Sequence, residues 1–239
     1  MRSIKNIVIG ILAAAFTMAP LTSFASILPE DVAGTRFEEP VQILAALGIM
    51  VGDDDGAFRL DDNIKRSEVA KMAIHALGLE DIADSRKGES KFPDVSVNHW
   101  ANGYINLATA QGLIVGDDLG NFRPDDSITY AEAMAIFIRA LGYEVMAEDK
   151  GAYPEGHVVV AGNIGLTKNV QGATNAPITR GNVAYLTNNS LTVGLMEKVG
   201  YGNNASYEVT DKTLLKDKLD VEKHQGQINA IPYTSLEGI

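Results

Sequence analysis

The sequence predicts a mainly α-helical protein made of repeated helix–loop–helix units, followed by a short strand-rich stretch. Two observations carry this. Residues 46–78 and 110–142 are identical at 17 of 33 positions without a gap, where ordinary composition gives about two. Each copy also sets apolar residues at helical spacing on both sides of a turn-rich loop. A third, eroded copy fits residues 153–194. A two-helix unit cannot bury its apolar face alone, so such copies must share one core.

The elements follow in order. Arg2 and Lys5, the apolar run 7–19 and Ser23-Phe24-Ala25 have the form of a secretory signal peptide over residues 1–25. Its apolar run is too short for a stop-transfer helix, so no transmembrane anchor is expected. The first repeat is assigned to 26–80. Thr35 and Glu38 have capping-box spacing, and Val41, Leu44, Ala45 and Leu47 form an inward face ending near Gly48. After the acidic loop 52–56, a second helix from about Lys65 turns Val69, Met72, Ala73, Ala76 and Leu77 inward. Residues 81–91 read as a charged linker.

The second repeat, 92–144, opens with Phe92-Pro93-Asp94-Val95. Asn98 is the expected N-cap of a helix bearing Trp100, Tyr104, Ile105, Leu107 and Ala108. Thr129 and Glu132 form another capping box, before Ala133, Ile136, Phe137, Ala140 and Leu141. In the third repeat, 153–194, Tyr153-Pro154 opens a helix that runs through Val158, Val159, Ala161 and Ile164 to Gly165-Leu166. The stretch 178–184 then matches 64–70. Residues 195–239 read as a linker and the start of a β-rich segment, with strands at 207–210 and 226–233 and a charged stretch at 212–218. So strand-rich an ending suggests the N-terminal part of a longer protein.

Composition narrows the function. Without residues 1–25 the chain carries 18 basic and 31 acidic residues. Such a surface argues against nucleic acid and anionic membranes as partners. There is no cysteine, so thiolate metal sites and cysteine nucleophiles are excluded. Aligning Gly56 or Gly120 with the glycine of an EF-hand loop puts Val51 or Val115 at the first ligand position, so calcium is not expected through this motif and only loose binding by Asp53–Asp55 stays open. The four histidines lack metal-ligand spacing, and no phosphate loop or nucleophile elbow appears. The expectation is a protein without cofactor, metal or enzymatic activity of its own.

The repeated pattern resembles the S-layer homology family. Repeat two carries Phe92-Pro93-Asp94-Val95, His99-Trp100-Ala101, Gly120-Asn121-Phe122-Arg123-Pro124-Asp125 and Ile128-Thr129-Tyr130-Ala131-Glu132. Repeat one has Lys65-Arg66-Ser67-Glu68 for the T-R-A-E signature, with Phe37 near the tryptophan position. Repeat three keeps Thr179-Arg180-Gly181-Asn182. The resemblance implies three repeats around a pseudo-threefold axis, with ligand grooves between copies. It also implies noncovalent anchoring to the bacterial cell wall, through secondary wall polysaccharide, often pyruvylated, or modified peptidoglycan.

Ligand-binding positions expected on this basis are Arg66, Arg180, Trp100 and Tyr130. An arginine in the first turn of a helix runs against the macrodipole, which a carboxylate-binding groove would explain through bidentate contact. On residue chemistry alone, an arginine bridging a nearby carboxylate is the better account; the resemblance reverses that order. Trp100 suits either sugar stacking or core filling, and Glu68 and Glu132 suit capping. Tyr130 replaces the arginine and Asn182 the glutamate, so two competent arginine sites at most are expected. Two alternatives stay open: the anchor of a larger surface enzyme with its catalytic domain beyond residue 239, and a protein that self-associates in a surface lattice.

Overall fold

Three isoleucines close a ring at the centre of the protein. Ile64, Ile128 and Ile178 are at most 1 % exposed. The Ile64 N–H donates to the Ile178 carbonyl at 3.1 Å, Ile178 to Ile128 at 3.1 Å, and Ile128 to Ile64 at 3.0 Å. Each repeat supplies one isoleucine, so the ring is the pseudo-threefold axis. It also meets the demand that buried backbone donors and acceptors be paired.

The structure, a computed structural model, describes residues 29–200 and 206–222. The proposed signal peptide and the strand expected at 226–233 lie outside the described residues. The helices are α1 (Glu38–Ala46), α2 (Arg66–Ala76), α3 (Glu80–Ala83), α4 (Asn102–Ala110), α5 (Tyr130–Ala140), α6 (Glu144–Asp149), α7 (Glu155–Asn163) and α8 (Arg180–Ser190). Strands β1 (Met196–Val199) and β2 (Ser206–Val209) follow and pair antiparallel, Met196 opposite Val209.

The hub helices α2, α5 and α8 start at the isoleucine ring and pack on one another. The first N–H groups of a helix have no partner within it, and here a neighbouring repeat supplies one. Arg66 and Ser67 donate to Asp126 and Pro124, Tyr130 and Ala131 to Ala176 and Thr174, and Arg180 and Gly181 to Asp62 and Leu60. Around this hub, α4 packs on α2, α7 on α5 and α1 on α8. The first helix of each repeat therefore leans on the second helix of the repeat before it, and α1 on α8 closes the circle. The result is one core shared by all three copies.

Several local expectations shift. Helix α1 is capped at Phe37, not Thr35. Residues 29–35 form turns, and the Thr35 hydroxyl accepts the Phe37 N–H at 3.2 Å instead. Helix α4 is capped at Ala101, not Asn98, because His99 Nδ1 takes the Ala101 N–H at 3.1 Å and holds a turn. The capping box of α5 forms as read: Thr129 accepts the Glu132 N–H at 3.3 Å and Glu132 the Thr129 N–H at 2.8 Å. The charged stretch after Gly78 opens with α3 and a 3-10 turn, Asp84–Arg86.

One inward position was misread. Ala45 is exposed. In α7, Val159 is 47 % exposed, while Val160 and His157 are buried. His157 Nε2 lies 2.8 Å from a Glu144 carboxylate oxygen, and this buried polar contact sets the roll of the helix.

Residues 195–222 pack on the far end of the hub. The Met196 N–H donates to Leu141 and the Leu215 N–H to Leu191, both at 2.9 Å. Leu214 is fully buried. Gly142 sits at φ +85°, and a Cβ there would stand 2.1 Å from the Met196 carbonyl oxygen, so only glycine lets the tail approach.

Candidate functional site between the repeats

The cyclic packing brings neighbouring repeats together at the first turn of each hub helix. The T-R-A-E position gives each junction its chemistry. Arg66 is 5 % exposed and Arg180 8 %. The Arg66 Nε donates to the Phe122 carbonyl at 2.6 Å, and its Nη1 stands 2.7 Å from Glu132. The Arg180 Nε donates to the Phe58 carbonyl at 2.7 Å, and its Nη1 pairs with Glu68. In both cases arginine and glutamate come from different repeats. The bridging carboxylate that residue chemistry favoured is therefore present, and it is the glutamate of the neighbouring signature.

The two departures from the motif fall on one junction. Continuing the cycle, Tyr130 should meet position 182, and there the glutamate has become Asn182. The Phe58 and Phe122 position has become Gly172. A Cβ on Gly172 would lie 2.3 Å from Tyr130 Cδ2, so the tyrosine ring rests on the Gly172 backbone. Tyr130 and Gly172 thus form one substituted contact, while Asn182 accepts the adjacent Gln171 N–H at 2.9 Å.

Glu132 shows the electrostatics. Burial pushes its carboxyl up. The Thr129 N–H, Arg66, the Thr129 hydroxyl and Arg123 outweigh that and hold it below the ordinary 4.5. Arg66 is pushed down, mainly by burial, with Glu132 opposing. Arg123 also binds Glu132 at 2.8 Å.

Trp100 does not fill the core: it is 49 % exposed, its ring centroid 5.7 Å from that of His99. Beside it, His99 and Lys65 both reach Asp125, at 3.6 and 3.0 Å. The repeats align on the glycines after their first helices, Gly48, Gly112 and Gly165. In that frame Trp100 corresponds to Arg36 and Tyr153, each two residues before its helix. Tyr153 is also 49 % exposed and lies beside Glu132 and Thr129. Sequence reading missed these two by setting Phe37 near the tryptophan position; Phe37 is 7 % exposed.

It missed Asp31 as well, which accepts the Phe58 and Arg59 N–H groups at 2.8 and 2.7 Å. Asp94 does the same for Phe122 and Arg123 at 3.0 and 2.6 Å. The shared Asp-Val pair, 31–32 and 94–95, was the available signal. The acidic loops use their carboxylates internally. Arg59 pairs with Asp53 and Asp55, and Asp117 accepts the Leu119 and Asn121 N–H groups.

Residues 30–70 and 91–134 match the S-layer homology domain model. The chain belongs to the S-layer homology family. The third S-layer homology repeat lies outside those matched spans and is recognised by its place in the isoleucine ring.

Relatives agree. The chain is 33 % identical over 226 residues to the middle cell wall protein of Brevibacillus brevis, covering 91 % of this chain and 21 % of that protein. It is 32 % identical over 224 residues to the surface layer protein of Brevibacillus choshinensis, covering 91 % and 19 %. A cell surface protein of Thermoanaerobacter kivui is 35 % identical over 164 residues, 68 % of this chain and 21 % of that protein. The chain thus spans about a fifth of the length of these relatives. Family and relatives put it at the bacterial cell-wall surface. Among the described residues, no helix is long and apolar enough to cross a membrane.

Proposed function

We propose that this chain is a wall anchor whose S-layer homology grooves bind secondary wall polysaccharide, with pyruvylated sugar as the favoured ligand. The observation that carries this reading is Trp100. A tryptophan kept half in solvent, its ring beside that of His99, offers a face for a sugar ring. His99, Lys65 and Asp125 beside it can bond hydroxyls. Tyr153 provides the corresponding face beside Glu132, which Arg66 clamps. Arg66 and Arg180 supply the guanidinium edge beyond the atoms they commit to glutamate and carbonyl. Several weak sites on one polymer retain a protein through effective concentration.

The test is co-sedimentation with purified cell wall, intact and stripped of its polysaccharide. Intact wall should retain the protein and stripped wall should release it. Trp100→Ala should weaken retention without changing the melting temperature. An Arg66→Ala, Arg180→Ala double variant that stays folded and is still fully retained would remove the arginines from the contact. Full retention on stripped wall would move the ligand to peptidoglycan.

A further inference from the structure

The far ends of the three hub helices meet one short stretch of chain. Helices α2 and α5 each stop at a glycine with positive φ, Gly78 at +66° and Gly142 at +85°, the left-handed residue common after a helix. Gly48, Gly112 and Gly165 stop the first helices of the repeats in the same way, and a Cβ on any of them would meet nothing within 4 Å. Gly78 and Gly142 are covered. A Cβ on Gly78 would stand 2.5 Å from the Lys218 carbonyl oxygen, and one on Gly142 2.1 Å from that of Met196. The tail therefore presses its backbone on the ends of repeats one and two at matching positions.

The end of α8 is held as well. The Leu215 N–H donates to the Leu191 carbonyl at 2.9 Å. The hydroxyl of Tyr143, a residue 2 % exposed, donates to the Gly194 carbonyl at 2.9 Å. The tail is also tied to itself. The Leu195 N–H donates to Lys212 and the Thr210 N–H to Leu195, both at 2.8 Å, and Lys212 pairs with Glu197 at 2.7 Å. The Leu219 and Val221 N–H groups return to Leu214 and Leu215 at 3.0 Å. Leu214 and Leu215 are buried, so the tail holds the hub through apolar area as well as hydrogen bonds. Along the chain it leaves α8, meets the end of α5, returns to the end of α8, and meets the end of α2 last. Pull arriving from the C-terminal side thus reaches repeat one first, although repeat three is the tail's neighbour in sequence.

We propose that residues 195–222 are a strap with a mechanical function. They pass tension from the C-terminal side of the chain to the ends of all three hub helices together, so that α8 is not drawn out of the ring alone. A ring pulled at one member opens there, whereas a ring held at three helix ends must break several contacts in one event. The wall-anchor reading above supplies the source of the tension; the strap itself rests on the contacts.

The experiment is single-molecule pulling of the full chain, held at its two ends. The absence of cysteine lets Thr192→Cys, at an exposed position just before the tail, serve as a second handle that bypasses the strap. Pulled by its C-terminus, the protein should give way in one event, without an earlier lengthening of roughly 100 Å, the contour of residues 195–222. Pulled at Thr192→Cys, it should rupture at lower force. Gly78→Ala, whose Cβ meets the Lys218 carbonyl, should introduce an early lengthening; if it does not fold, the comparison of the two handles decides alone. An early lengthening in the unsubstituted chain, equal rupture forces from the two handles, or a folded Gly78→Ala that pulls like the unsubstituted chain overturns the strap. No wall material enters the measurement, so its failure counts against the strap, whereas loss of co-sedimentation counts against the wall-anchor reading.

Discussion

Arg66 of the first repeat and Glu132 of the second meet at 2.7 Å across a repeat boundary, with the arginine only 6 % exposed at its side chain. The pair joins two copies and lies against the hub helices rather than at the rim. Removing one member of a buried ion pair leaves the other desolvated, at about 3–5 kcal/mol. Arg66→Ala should cost about 3 kcal/mol, the low end, because Arg123 still holds Glu132. Urea denaturation checks this. A change below about 0.5 kcal/mol, the usual size at an unconstrained surface site, would contradict the clamp.

Acid should loosen the same junction. The Glu132 carboxyl lies below its ordinary 4.5 in the folded protein. Its contribution is therefore complete above about pH 4.5 and is lost as the pH falls through the lower folded value. Thermal melts from pH 6 to pH 3 should show a drop that Glu132→Gln makes shallower. Parallel curves for the two proteins would assign the acid sensitivity elsewhere.

The substituted junction makes a coupling prediction. Gly172→Ala should destabilise by about 1–3 kcal/mol, because its Cβ meets the Tyr130 ring. Combined with Tyr130→Ala, which vacates that space, the cost should fall well short of the sum. A double-mutant cycle reads this directly. Strict additivity would show that the ring and the Gly172 backbone do not depend on each other.

The tail beyond the third repeat contributes to the hub. Leu214 is fully buried, so Leu214→Ala should cost about 2–5 kcal/mol, the range for large-to-small core changes. The loss should appear in a single unfolding transition together with the repeats. A separate early transition would mean that residues 195–222 fold independently.

Much of the fold was legible because the repeats obey local rules. Thr129 and Glu132 announced a helix start through their own backbone bonds, and the 3/4 spacing of Val69, Met72, Ala73 and Ala76 described a buried face before any partner was known. The failures have local causes as well. Thr35 and Asn98 look like caps, but turns around Thr35 and His99 take the N–H groups and delay each helix. Ala45 shares the spacing of Val41 and Leu44, yet it is exposed.

By itself, then, the sequence determined that three copies exist, that they are helical, and that they share a core. It also marked Arg66, Tyr130 and Arg180 as the positions where the copies disagree. Only the tertiary structure decided what those positions meet, because each partner comes from another repeat: Glu132 for Arg66, Glu68 for Arg180, Gly172 for Tyr130. Residues brought together by ring closure share no spacing along the chain. No periodicity could therefore show that two arginines are already paired with glutamates of other repeats.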